Sequence, residues 1–135
     1  MNAAGMKVRD LMKSPVLSVG QDTSLQELVE LLDQKMITGV PVVDGEGKVI
    51  GVVSRSDVAI HWSRSEDGED LREQSVAEIM TPFAFQVRAE DEVVGLVDTM
   101  LAGGIHRVVV SDDEGRPVGI VTSMDIVRDY RRLLG

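Results

Sequence analysis

The chain repeats itself. With Val8 set on Val76 and the register held without a gap to Val58 on Ile126, identical residues meet at Val8/Val76, Met12/Met80, Val19/Val87, Leu28/Leu96, Val40/Val108, Asp44/Asp112, Gly51/Gly119 and Asp57/Asp125. Conservative exchanges lie between them, among them Leu11/Ile79, Lys48/Arg116, Ser54/Thr122 and Val58/Ile126. A repeat of this kind means two copies of one supersecondary unit. Each copy is too small to bury both faces of a sheet by itself, so the two must pack together.

Within the first copy, Val8 to Met12 reads as a helical turn halted at Ser14-Pro15, because proline disfavours helix in the residue before it. A brief strand at Val16–Val19 follows. Asp22-Thr23-Ser24 offers N-cap oxygens to a helix carrying Leu25, Leu28, Val29, Leu32 and Met36 at helical spacing. Gly39 ends that pattern, and Asp44-Gly45-Glu46-Gly47 is turn chemistry between two apolar runs, which predicts a hairpin of Val40–Val43 with Lys48–Ser54. Pro41, lacking a donor, is expected near a strand start or edge. A helix should begin near Arg55. The second copy predicts the same order: a turn at Val76–Met80, strands at Ala84–Val87, Arg107–Ser111 and Pro117–Thr122, and helices at Glu92–Leu101 and Ser123–Leu133. The organisation expected is therefore repeat 1 over 8–65, an acidic linker over 66–75, and repeat 2 over 76–133.

Lys plus Arg number 14 against 23 Asp plus Glu, a formal net charge of −9. An acidic chain is repelled by nucleic-acid phosphates and anionic lipid, so neither is an expected partner. There is no Cys, hence no disulfide and no thiolate metal site. No apolar run is long enough to span a membrane, and a cytoplasmic protein is expected. Aromatic residues are 3 % of the chain, so the core must rest on Val, Leu, Ile and Met. Met12, Met36, Met80, Met100 and Met124 read as packing residues, and Trp62 as core or dimer interface.

The two copies share a strand-to-helix junction, Gly51-Val52-Val53-Ser54-Arg55-Ser56-Asp57 and Gly119-Ile120-Val121-Thr122-Ser123-Met124-Asp125. A hydroxyl ends the strand, and a carboxylate follows one turn into the helix, beside N–H groups that favour anions. Taken singly, Asp57 and Asp125 read as first-turn carboxylates that stabilise the helix dipole. Their recurrence in both copies favours ligand binding. Gly51 and Gly119 read as positions where the strand packs closely against a helix rather than as ligand contacts.

Together with Val-Arg-Asp-Leu-Met and Val-Ala-Glu-Ile-Met, each followed by a proline, and with Gly39-Val40-Pro41-Val42-Val43-Asp44, these junctions make the chain resemble a tandem pair of CBS domains, the cystathionine β-synthase type module. The resemblance implies an α+β fold, two βαββα repeats packed with pseudo-twofold symmetry, and clefts that commonly hold adenosine-containing ligands such as AMP, ADP or ATP. It implies ribose binding at Ser54 with Asp57 and at Thr122 with Asp125, since a carboxylate can accept from both vicinal hydroxyls. It implies phosphate contacts at His106 and Arg107, where the first copy has uncharged Thr38-Gly39, with Arg55 as a further source of charge. Apolar residues against the adenine would be Val16, Leu17, Val40, Phe83, Ala84 and Val108. Val109 in place of Pro41, and Pro82 one position earlier in its repeat than Pro15, depart from the pattern.

There is no Walker-type glycine loop, Gly-x-Ser-x-Gly, His-Glu-x-x-His or Cys nucleophile, and the two histidines, His61 and His106, stand at unlike points of the repeat. No catalytic residue, metal site or resident cofactor is expected. The leading expectation is a non-catalytic regulatory module with an adenine nucleotide as regulatory ligand, a homodimer through helix faces bearing Val58, Trp62, Ile126 and Tyr130, and an unidentified regulated protein as partner. The alternative is a ligand-free scaffold of the same fold.

Overall fold

A computed structural model describes residues 5–66, 70 and 72–133. A 3₁₀ turn (Val8–Asp10) leads to β1 (Val19–Gly20), α1 (Leu25–Lys35), β2 (Gly39–Val43), β3 (Val49–Ser54) and α2 (Arg55–Ser63). A second 3₁₀ turn (Val76–Glu78) opens the same series again: β4 (Gln86–Val87), α3 (Val93–Gly103), β5 (Arg107–Ser111), β6 (Pro117–Thr122) and α4 (Ser123–Leu133). The elements follow the predicted order, with the strands before α1 and α3 shorter than expected. Of the predicted acidic linker, Asp67, Gly68, Glu69 and Leu71 lie outside the described residues.

Two three-stranded sheets result, β1-β2-β3 and β4-β5-β6. In each, the first pairing is parallel and the second is an antiparallel hairpin, with Val40 opposite Val53 and Val108 opposite Val121. Pro41 therefore stands in a central strand rather than at an edge. It costs β3 nothing, because Val52 opposite turns its own N–H and C=O away, to Thr81. Pairing with β1 begins only at Val42. In the second sheet Val109, which keeps its N–H, donates to the Phe85 carbonyl at 3.0 Å.

The chain divides into two compact units whose bounds are not those of the sequence repeats: Leu17–Ala84, and Met1–Val16 with Phe85–Gly135. In the first unit Val76, which opens the second repeat, is buried with Leu28, Leu32, Val40, Val42 and Val53. In the other, Val8 is buried with Leu96, Met100, Val108, Val110 and Val121. Backbone bonds fasten each opening turn to its host: Val76 N to Thr23 O (2.8 Å) and Ala77 N to Gln21 O (2.9 Å), Val8 N to Asp91 O (2.8 Å) and Arg9 N to Ala89 O (3.0 Å). Each repeat thus lends its opening turn to the core that the other repeat builds.

Just beyond those turns, Thr81 pairs with Val52 and Lys13 with Ile120, each by two reciprocal backbone bonds of 2.9–3.1 Å. The predicted close packing at Gly51 and Gly119 is found here, against these segments rather than against a helix. A Cβ on Gly51 would lie 2.3 Å from the Thr81 carbonyl oxygen.

Helix ends follow local chemistry. Ser24 caps α1 by accepting from Glu27 N–H, and the helix stops at Met36 in the left-handed region (φ 54°). The equivalent residue after α3 is Gly104 (φ 61°), which carries no Cβ penalty there. Met36 is 84 % exposed, so no packing is at stake. Met36→Gly is expected to raise stability by about 1 kcal/mol, read as a higher urea midpoint at unchanged slope. Met12, Met80 and Met100 do pack in the cores, whereas Met36, Met124 and Trp62 are exposed and belong to neither core cluster.

Candidate functional site

The two strand-to-helix junctions are built alike. At the end of β3, Ser54 N–H and its hydroxyl both donate to Asp57 Oδ2, at 2.8 and 3.1 Å, and Asp57 N–H returns a bond to Ser54 Oγ at 3.4 Å. At the end of β6, Thr122 N–H and hydroxyl donate to Asp125 Oδ2 at 2.8 and 3.1 Å, and Asp125 N–H returns to Thr122 Oγ1 at 3.3 Å. Each is a reciprocal capping box that satisfies orphan donors of the helix. The carboxylate is fixed by one oxygen, and the other is left to the surroundings.

Those surroundings differ. Asp57 Oδ1 has no hydrogen-bond or ion-pair partner among the described residues, and Asp57 lines a cavity of about 190 Å³ with Ile60, His61, Arg64, Glu78 and Ile79. Asp125 is buried, 5 % exposed, and its Oδ1 receives Arg128 Nη1 at 2.9 Å and Lys13 Nζ at 3.5 Å. Burial works against ionisation of Asp125. The Thr122 N–H and hydroxyl, the Lys13 ammonium and the Arg128 guanidinium outweigh it and hold the carboxyl below its ordinary pKa.

Each unit gathers its own share of the predicted residues. With Thr122 and Asp125 go Val16, His106, Arg107 and Val108; with Ser54 and Asp57 go Leu17, Val40, Arg55, Phe83 and Ala84. Arg107 stands opposite Thr122 in the β5–β6 register, and the His106 carbonyl accepts from Ser123 N–H at 2.9 Å. The exposed His106 also lines a groove of about 310 Å³ with Met100, Leu101, Ser123, Ile126 and Val127. The Thr81 bridge brings the chain that continues to Phe83 and Ala84 alongside β3, and the Lys13 bridge does the same for Val16 and β6.

Three expectations need correction. Val40 and Val108 are 1 % and 0 % exposed and belong to the two cores, so their side chains have no surface for an adenine. Val16, Leu17, Phe83 and Ala84 do retain accessible surface. Arg55 does not offer its charge freely: Nε donates to Ile37 O at 3.0 Å and Nη2 to Leu32 O at 3.4 Å, a cation satisfying the carbonyls at the end of α1. Lys13 and Arg128, which reasoning from the sequence passed over, supply the charge at Asp125. Their counterparts in the other copy are Thr81 and Ile60, and that loss of charge between aligned positions was the available signal.

A duplicated α+β module with one capped carboxylate per copy is thus defined. The chain matches the CBS domain family over residues 8–63 and again over 76–132, and it belongs to that family as a tandem CBS domain pair. The solved CBS domain pair of protein MJ0100, in complex with 5′-methylthioadenosine and S-adenosyl-L-methionine, aligns with a TM-score of 0.82 at 28 % identity, covering 94 % of this chain and 97 % of that one. The structure of CBSX2 in complex with AMP aligns with a TM-score of 0.79 at 28 % identity, covering 97 % and 100 %. Among curated relatives, inosine-5′-monophosphate dehydrogenase of Methanocaldococcus jannaschii is 28 % identical over 122 residues, 90 % of this chain. This chain spans 39 % and 23 % of the length of the first two such relatives. Among the described residues no helix is long and apolar enough to cross a membrane.

Proposed function

We propose that the chain is a non-catalytic regulatory module that binds adenosine-containing ligands, of the AMP, ADP, ATP or adenosylmethionine kind, at its two strand-to-helix corners. The observation that carries this reading is the Asp57 carboxylate. One of its oxygens is pinned by Ser54, and the other lacks a partner among the described residues. Such a group accepts a vicinal diol without rearrangement, in charge-assisted bonds. The adenosyl ligands of the CBS pairs of MJ0100 and CBSX2 support the choice of ligand class. Ribose binds at Ser54 with Asp57 and at Thr122 with Asp125, phosphate at His106 and Arg107, and the base lies against Val16, Leu17, Phe83 and Ala84.

Thermal shift with AMP, ADP, ATP, S-adenosylmethionine and 5′-methylthioadenosine tests the proposal. A ligand at about 100 times its dissociation constant is expected to add roughly 2.7 kcal/mol of stability. Asp57→Asn and Asp125→Asn keep the size of each cap and remove the ionised acceptor, so each is expected to abolish one site. No shift with any ligand at millimolar concentration, or undiminished binding in the double variant, would sink the assignment.

The alternative, a ligand-free dimerising scaffold of the same fold, draws on a separate observation. Val29, Trp62, Leu101, Val127 and Tyr130 are 44–76 % exposed on the helices, and an apolar groove of about 370 Å³ is lined by Leu25, Val29, Val58 and Trp62. Apolar helix faces of this kind suit a second copy of the chain. Sedimentation of the protein with and without nucleotide distinguishes a ligand-responsive dimer from a ligand-free one.

A further inference from the structure

A carboxylate has about four acceptor positions. At Asp125 three positions are taken by hydrogen bonds, from Thr122 N–H and hydroxyl on Oδ2 and from Arg128 Nη1 on Oδ1, and the Lys13 ammonium stands against Oδ1 in an ion pair at 3.5 Å. At Asp57 the two donors of Ser54 sit on Oδ2, and Oδ1 carries none from the described residues. A ribose diol can therefore dock on Asp57 directly, whereas at Asp125 it must first take Oδ1 from two cations. Both cations have solvent to turn into, since the Lys13 and Arg128 side chains are 62 % and 51 % exposed while the carboxylate they hold is 4 % exposed.

Displacing them has different consequences for different ligands. A neutral nucleoside replaces two charge-assisted contacts with hydroxyl bonds and leaves both cations without an anion. A phosphorylated nucleoside brings its own anion, to which an ammonium and a guanidinium can transfer. We propose that Lys13 and Arg128 are specificity-determining residues that close the Thr122–Asp125 corner to neutral nucleosides and open it to phosphorylated ones, while the Ser54–Asp57 corner accepts both. The inference rests on reading the corners as ribose sites. It adds a competition at the carboxylate to the direct phosphate contacts of His106 and Arg107.

The two effects separate in one experiment. In an Asp57→Asn background, which isolates the second corner, calorimetric titration is expected to show AMP binding at least about tenfold more tightly than adenosine, a difference well within what one charge-assisted contact supplies. Adding Lys13→Gln and Arg128→Gln removes the competitors, so adenosine should bind about tenfold more tightly than before while AMP weakens. Lys13 meets Ile120 through its backbone alone, so glutamine preserves that bridge. A melting curve checks the fold, and should the double substitution fail to fold, Lys13→Gln alone is expected to improve adenosine binding about threefold. Loss of ordinary phosphate contacts would leave adenosine binding unchanged, and loss of a merely structural clamp would weaken it. Either result overturns the inference while leaving the ribose assignment standing, provided AMP still binds and Asp125→Asn abolishes it. If the unsubstituted protein binds neither AMP nor adenosine, the ribose reading itself fails and the inference with it.

Discussion

Gly51→Ala is expected to lower stability by about 3–5 kcal/mol, combining an overpacking cost with the loss of two backbone hydrogen bonds. The added methyl would stand 2.3 Å from Thr81 O and 3.3 Å from Thr81 C, both main-chain atoms that cannot rotate aside. Relief requires Thr81 to move off β3, which breaks the paired bonds between Val52 and Thr81 at 3.1 and 2.9 Å. The same movement pulls on Met80 and Val76, which pack in that unit's core. Gly119→Ala is the internal control. There the nearest atom is Met12 Sδ at 2.6 Å, the end of a flexible side chain, with Lys13 O at 3.1 Å behind it. A cost of about 1–2 kcal/mol is expected at that position. Urea denaturation of the two variants measures the contrast, and equal losses would contradict it.

Asp125→Ala is expected to cost about 2–3 kcal/mol, and Asp57→Ala about 1 kcal/mol, the worth of a helix cap alone. Both lose a capping box. Asp125 alone loses the Arg128 hydrogen bond and the Lys13 ion pair as well, and it does so in a buried position. The difference should depend on pH. The folded-state pKa of Asp125 lies below the ordinary aspartate value of 3.8, so the ionised group stabilises the fold above that value. Its contribution disappears as pH falls through the lower, folded-state value. The stability of the unsubstituted protein and of Asp125→Ala should therefore converge on acidification. Denaturation midpoints at a series of pH values between neutral and acidic conditions check this, and a gap that persists at low pH would contradict it.

Much of this architecture was legible because local chemistry decided it. Ser24, the Asp44 and Asp112 turns and the hydroxyl-x-x-Asp pairs fix helix starts and hairpins within a few residues of chain. The exchange of opening turns was not legible, for a physical reason. Val8 and Val76 are identical, as are Leu28 and Leu96, Val40 and Val108, Val42 and Val110, and Val53 and Val121. Packing Val8 into its own repeat or into the other buries the same atoms against the same neighbours. Burial of Val40 and Val108 was missed because β2 and β5 are buried over consecutive residues rather than alternately, so strand periodicity does not say which side chains are accessible. The commitments of Arg55 and of Lys13 are tertiary. One reaches the carbonyl end of α1, and the other reaches a carboxylate more than a hundred residues on.

The exchanged openings also set an order on biosynthesis. Leu17–Ala84 is one unbroken stretch of chain, so that core can close as soon as Ala84 has left the ribosome. Val8 is made earlier and buried later. Its neighbours Val108, Val110 and Val121 lie a hundred or more residues further along, so the Val8 side chain must wait for them while a complete unit folds in between.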